Sequence, residues 1–246
     1  MPYGHGQGSA MNNFKKGSQG FSLVELLVAL AIAGLTFSAI YSLFFTQSKG
    51  YTTQSQVVDL QRSLRAGSSA MARDLRSAAY NPGGLTGAAA SSDGIDNDCD
   101  GTTDEADNVA TLLVDESEVI GFQVALANTV TFALDANGDG TACGNQERIT
   151  YALNGTELVR NGLPKSANIE VLNFVYLDEE GAVATSIDDI RAVQIAIVGR
   201  TKNEDPAYTN SNAYVNLQGD EILAAQNDGF RRRLLTSQVY CRNLYD

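Results

Sequence analysis

Carboxylates alternating around a glycine are the first chemistry this sequence offers. In DNDCDGTTDEAD, Asp96, Asp98 and Asp100 occupy every second position, Gly101 follows, and Asp104 and Asp107 complete the run. Calcium takes about six to eight oxygen ligands, and alternate acids before a glycine turn can wrap one ion. Residues 93–107 hold seven acids and no Lys or Arg, so they repel one another unless a cation sits among them. An acidic, solvated loop is the other reading of the same residues. Calcium is the cofactor expected here.

The spacing is similar to an EF-hand loop, in which Thr102 would offer its backbone carbonyl. Asp107 stands where a bidentate Glu is usual, which predicts weaker binding, and no flanking amphipathic helices are visible. A thinner copy follows in DANGDGTACGN, with Asp135, Asn137, Asp139, Gly140 and the Thr141 carbonyl, but Gln146 occupies its last ligand position. An Asx-rich β-turn explains that copy nearly as well. Each copy holds a cysteine, Cys99 and Cys143, and a bridge between them would tie the loops together in an oxidising compartment. With Cys241 as a third cysteine, three single pairings are open, including a buried, free Cys241.

Catalytic chemistry finds little support. The only histidine is His5, so residues 21–246 have none, which removes His triads, His general bases and His metal sites from that part. No phosphate loop of the GxxxxGK[ST] form occurs. Net charge is −12, which disfavours nucleic acid or anionic headgroups as partners. A structural or binding role is expected, with no catalytic residues.

A long helix must position these loops. Phe21 to Phe45 is an apolar run whose one charge is Glu25, and at 1.5 Å per residue it spans about 37 Å, enough for a membrane core. Lys15 and Lys16 precede it and hold that end in the cytoplasm, so the rest of the chain faces outward. The helical pattern then continues: Val57, Leu60, Leu64, Met71, Leu75 and Ala78 form one apolar stripe, with Arg62, Arg65, Arg73 and Arg76 between. Gly67 and Ser68 thin the stripe by one turn. The helix is expected from near Phe21 to Ala79, stopped by Asn81-Pro82-Gly83-Gly84.

KKGSQGFSLVE at the head of that helix inverts an ordinary secretory signal, because a cut before the apolar run leaves the run on the mature chain. It resembles the type IV prepilin signal shared by pilins, minor pilins and type II secretion pseudopilins. The resemblance implies that a prepilin peptidase cuts after Gly20 and that Phe21 becomes an N-methylated first residue. It further implies that Glu25 pairs with such an amine on a neighbouring subunit during assembly. A lone carboxylate in a membrane helix costs a few kcal/mol unless paired, which gives that pairing a physical motive. The leader is long for the family, and Met11 is an alternative start. With it removed, Lys plus Arg falls from 17 to 15 while Asp plus Glu stays 29, a net charge of −14.

From Val119 the pattern changes to strands: VIGFQVALA, TVTFAL, RITYAL, ELVR, IEVLNFVYLD and DIRAVQIAIVGR. Asn154-Gly155 is expected to be a two-residue hairpin turn, which discounts Asn154-Gly155-Thr156 as a glycosylation site. Glu180-Gly181 reads as a loop end, and Thr201 to Gly219 as an exposed polar loop before FRRRLLTSQVYCRNL. Arg231 to Arg233 reads as a solvated strand start, with a contact patch for an acidic neighbour as the alternative.

The acidic insertion, the IEVLNFVYLD and RAVQIAIVGRT strands and the FRRRLLTSQVYCRN ending look like PilW-type minor pilins, with J-type pseudopilins as close relatives. The fold this implies is α+β, a lollipop whose long helix packs on an antiparallel β head. The expected division is 1–20 leader, 21–80 helix with a membrane half at 21–45, 81–118 calcium-loop insertion, and 119–246 β head. The implied role is a minor pilin that primes assembly of a type IV pilus and sits at its tip, on the cell surface. Before assembly it would lie in the inner membrane. The implied partners are other minor and major pilins, the prepilin peptidase and the inner-membrane assembly platform. A secretion pseudopilin and a calcium-binding, membrane-anchored surface protein are the competing roles.

Overall fold

The computed structural model describes residues 20–82, 110–111, 114–115, 120–138, 142 and 146–244. The first calcium-type loop, Asp96 to Asp107, lies outside them, as do Cys99, Asp139, Thr141 and Cys143. The chain resolves into two compact units, one ending at Tyr51 and one spanning Thr52–Asp246.

Helix α1 runs over Leu23–Leu75. It starts two residues later than expected because Ser22 caps it. In the first unit its large apolar side chains, Leu23 through Phe45, are all exposed. Thr36 and Thr46 turn their hydroxyls back onto the carbonyls of Ile32 (2.8 Å) and Ser42 (3.0 Å), so polar side chains there are satisfied within the helix. This is a helix long and apolar enough to cross a membrane.

In the second unit the predicted stripe is the core. Leu60, Leu64, Met71, Leu75 and Ala78 are buried, and Val57 is half-buried. The helix ends four residues before the expected Ala79. Ser77 and Ala78 donate to carbonyls three residues back, tightening the last turn, and Ala79 takes φ 60°. Its N–H then reaches the Ala133 carbonyl at 3.1 Å.

Seven strands form an antiparallel meander in chain order: β1 (Ala110–Thr111), β2 (Val114–Asp115), β3 (Gly121–Ala125), β4 (Val130–Ala133), β5 (Arg148–Asn154), β6 (Glu157–Arg160) and β7 (Leu163–Ala167). A second antiparallel sheet places β9 (Ala192–Arg200) between β8 (Ile169–Leu177) and β12 (Arg232–Tyr240). In the short ribbon, β10 (Tyr214–Val215) falls in the segment expected to be an exposed loop and its partner β11 (Glu221–Leu223) lies just past it. That expectation is corrected: Thr201, Asn210 and Asn216 are buried there. Asn216 Nδ2 meets Asn173 of β8 at 3.3 Å, and Gln218 donates to Gln194 of β9 at 3.0 Å. A polar composition concealed a cover for the outer face of the second sheet.

Two turns also differ from expectation. Asn154 pairs with Glu157, so the β5–β6 turn centres on Gly155-Thr156, with Gly155 at φ 61° in the first central position. Glu180 is itself a turn centre, because Gly181 N–H donates to the Asp178 carbonyl at 3.2 Å.

Glycine sets two approaches of helix to sheet. A Cβ on Gly67 would lie 2.8 Å from Leu158 Cδ2 and 3.3 Å from Ser166 Cβ, so the turn that seemed to thin the stripe is where α1 meets β6 and β7 closely. A Cβ on Gly199 would lie 2.6 Å from Leu60 Cδ1 and 3.0 Å from the Asn168 carbonyl.

Candidate functional site

Three groupings of polar side chains stand out from the apolar core. At the start of α1, Ser22 and Glu25 form a reciprocal capping box. The Ser22 N–H donates to Glu25 Oε2 at 2.9 Å, and the Glu25 N–H donates to Ser22 Oγ at 3.2 Å. Both residues are exposed, beside Phe21, which is 90% exposed. The acid singled out from sequence is therefore engaged locally and open on its other sides.

The second grouping was not anticipated. Asp74 lies inside the apolar stripe, three residues from Met71 and four from Ala78, and is buried. Its Oδ2 accepts from Tyr151 Oη on β5 at 2.8 Å and from Arg160 Nε on β6 at 2.7 Å. Arg160 reaches on to Gln146 Oε1 at 3.3 Å. Burial, then the hydrogen bond to Asp74, raises the Tyr151 phenol well above its ordinary value, so it stays a neutral donor. This triad fastens the helix to the meander. A lone acid on the apolar stripe is the signal that could have found it.

The third grouping corrects the reading of Arg231 to Arg233 as solvated. The Arg232 side chain is 1% exposed. Its Nη2 donates to Glu170 Oε1 at 3.0 Å and to Asp228 Oδ2 at 2.7 Å. Hydrogen bonding from Arg232 holds the Asp228 carboxyl below its ordinary value, against a smaller opposing effect of burial. Arg231 pairs with Asp205 at 2.8 Å and stacks on Tyr208, while Arg200 covers Phe230. The strand start clamps the 201–230 segment onto the second sheet. Only Arg233 of the three is exposed.

Of the second calcium-type loop, Asp135 and Asn137 are described. Asp135 is buried, its N–H donates to the Tyr80 carbonyl at 2.8 Å, and its Oδ1 accepts the Gly138 N–H at 2.6 Å. Asp135 thus closes an Asx-type turn, while Asp139 and Thr141 lie outside the described residues. Among the described residues no group of three or more His, Cys, Asp or Glu is placed to hold a metal. Cys241 lies just past β12, not within it, as a buried free thiol. Burial pushes it up to about 12. A cleft of about 610 Å³ opens beside β8, lined by Ala125, Asn173, Tyr176, Val183, Asn216 and Glu221 among others. Among the described residues that line it there is no Ser, Cys, His, Lys or Arg.

These elements match known families at both ends. The prokaryotic N-terminal methylation motif matches residues 15–41, which include Gly20, Phe21 and Glu25. Type IV Pilus-assembly protein W matches residues 147–243, from the start of β5 to the turn after β12. The chain joins a prepilin-type methylation motif to a PilW-type head. Its PilW-matched part contains Tyr151, Arg160 and the whole Arg232 clamp; Asp74 comes from the helix before it. Among solved structures, a type IV-like pilin from Thermus thermophilus is similar at 16% identity and a TM-score of 0.44, over 75% of this chain and 98% of that one. No curated protein matches the chain. The helix that follows the motif is long and apolar enough to cross a membrane, and the motif implies processing by a prepilin peptidase and pilin partners.

Proposed function

We propose that this chain is a minor pilin, cut after Gly20, which primes assembly of a type IV pilus from the inner membrane and is incorporated near its tip. The observation that carries this reading is the joining of a methylation motif at residues 15–41 to a PilW-type head at 147–243. Its action is structural rather than catalytic. Glu25 is the assembly residue: it leaves its Ser22 contacts, or adds to them, to meet the amine of a neighbouring Phe21. Opposite charges attract strongly where water is excluded, which favours the docked over the free subunit.

The test is surface piliation in a strain lacking the chain, complemented with wild type or Glu25→Ala. Bald cells rescued by wild type alone are the expected result. Normal pili in the deletion strain would overturn it and favour a secretion pseudopilin. Calcium in the Asp96–Asp107 loop is a second, separable part of the proposal, supported by ligand spacing alone. Asp98→Ala should lower Tm only with calcium present; equal melts in calcium and in chelator would remove the metal.

A further inference from the structure

The two outer edges on either side of α1 are treated differently. Strand β7 ends the meander with Pro164, Lys165 and a register shift in its pairing, and it lies along the helix. Ser63 Oγ donates to the Ala167 carbonyl at 3.0 Å, and Ser166 Oγ donates to the Ser63 carbonyl at 2.7 Å. Such an edge is guarded against further pairing. Strand β12 has no proline and nine unbroken pairs with β9. Cys241 N–H donates to the Arg191 carbonyl, and Thr201 N–H to that of Arg231, so the odd-numbered residues of β12 face β9. The backbone groups of Leu234, Thr236, Gln238 and Tyr240 therefore face away from the sheet. Among the described residues, none of these four N–H or C=O groups has a hydrogen-bond partner.

Charge says what fits there. Eight of the 17 Lys and Arg fall in residues 60–80 and 229–244, against one acid, Asp74. The two segments adjoin: Ser68 Oγ meets Ser237 Oγ at 3.3 Å, and Asn243 Nδ2 donates to the Ala78 carbonyl at 3.1 Å. Arg65 lies on the helix flank that carries Ser68 and Arg76 just past the helix end, while Arg233 stands near the start of the strand and Arg242 just past its end. Among the described residues none of these four arginines has an ion-pair partner, in a chain of net charge −12. Pairing two copies of β12 antiparallel would set Arg233 of one against the Arg242 end of the other, which like-charge repulsion disfavours.

We propose that the free edge of β12, bracketed by Arg65, Arg76, Arg233 and Arg242, takes an extended acidic segment of a neighbouring pilin subunit as an added strand. Main-chain hydrogen bonds supply the affinity, and the arginines select acidic over basic sequences. Only the source of the segment rests on the minor-pilin reading.

The test uses the full chain in detergent micelles, with a heptapeptide of alternating Asp and Val as probe and its Lys/Val counterpart beside it. The Asp peptide should slow amide exchange at Leu234, Thr236, Gln238 and Tyr240 by about tenfold or more, and the Lys peptide should not. The odd-numbered amides are protected with or without peptide. Thr236→Pro/Gln238→Pro removes two outward N–H groups and leaves the bonds to β9, so it should keep its melt and lose the protection. Should that variant not fold, Arg65→Glu/Arg233→Glu decides, with an expected loss of about tenfold in peptide affinity. Unchanged exchange at the four amides, equal action of both peptides, or undiminished binding by the variants would overturn the site. Because the readout is the isolated chain, failure here is distinct from normal piliation in a deletion strain.

Discussion

Each half of one helix carries a single telling acid, and the two are handled in opposite ways. Glu25 sits among exposed apolar side chains and, among the described residues, is held by Ser22, three residues away. Asp74 sits among buried ones and is held by Tyr151 and Arg160, 77 and 86 residues away in the chain. A carboxylate removed from water needs partners, and each additional partner lowers its cost. In the head the fold supplies them. At the other end the described residues supply a capping box and leave the carboxylate exposed, open to a further partner. The difference separates a residue that completes a subunit from one available to join subunits.

The comparison can be broken most forcefully at Arg160. Arg160→Met takes the close, buried cation from Asp74 and leaves it the Tyr151 hydroxyl and the exposed Arg73 at 3.4 Å. Stability should fall by about 3–5 kcal/mol, read by urea unfolding of the full chain in detergent. A loss below about 1 kcal/mol would mean that Asp74 reaches water, and the contrast with Glu25 would weaken.

Tyr151→Phe sharpens it. With Arg160 still in place, the loss at neutral pH should be about 0.5–1.5 kcal/mol. The phenol is raised in the folded chain and ordinary at 10.0 in the unfolded one. A raised folded value means that its contribution is complete below pH 10.0 and fades as pH rises above that. Wild type should therefore lose stability between pH 10 and 11 more steeply than Tyr151→Phe. Parallel curves would show that Tyr151 is not held neutral by its site.

The smallest effect is expected at Ser22. Ser22→Ala removes a cap worth about 1 kcal/mol, and it should fray only the first turn, with faster amide exchange near Glu25 and an unchanged unfolding midpoint for the head. A shifted midpoint would contradict the local character of this pairing.

Much of the architecture was legible because it repeats at short range. The stripe from Val57 to Ala78 follows helical spacing, and five of its six named residues are buried. The strand runs were found for the same reason, with ends displaced by a few residues. Strand β7 was missed because LPKSA lacks branched alternation and contains Pro164, which an edge position tolerates. The Arg231–Arg233 run was misjudged because composition cannot distinguish three solvated arginines from one buried among Glu170, Asp228 and Phe230.

Order along the chain determined the processing motif, the membrane-length helix, the stripe and the strands, since each depends on neighbours within a few residues. Tertiary structure alone decided that Asp74 is satisfied and that Gly67 and Gly199 admit close contacts. It also decided that a polar segment covers a sheet and that β12 keeps an open, arginine-flanked edge. Those outcomes depend on which residues meet across gaps of tens to more than a hundred positions, and only the packed chain brings them within reach of hydrogen bonds and charge.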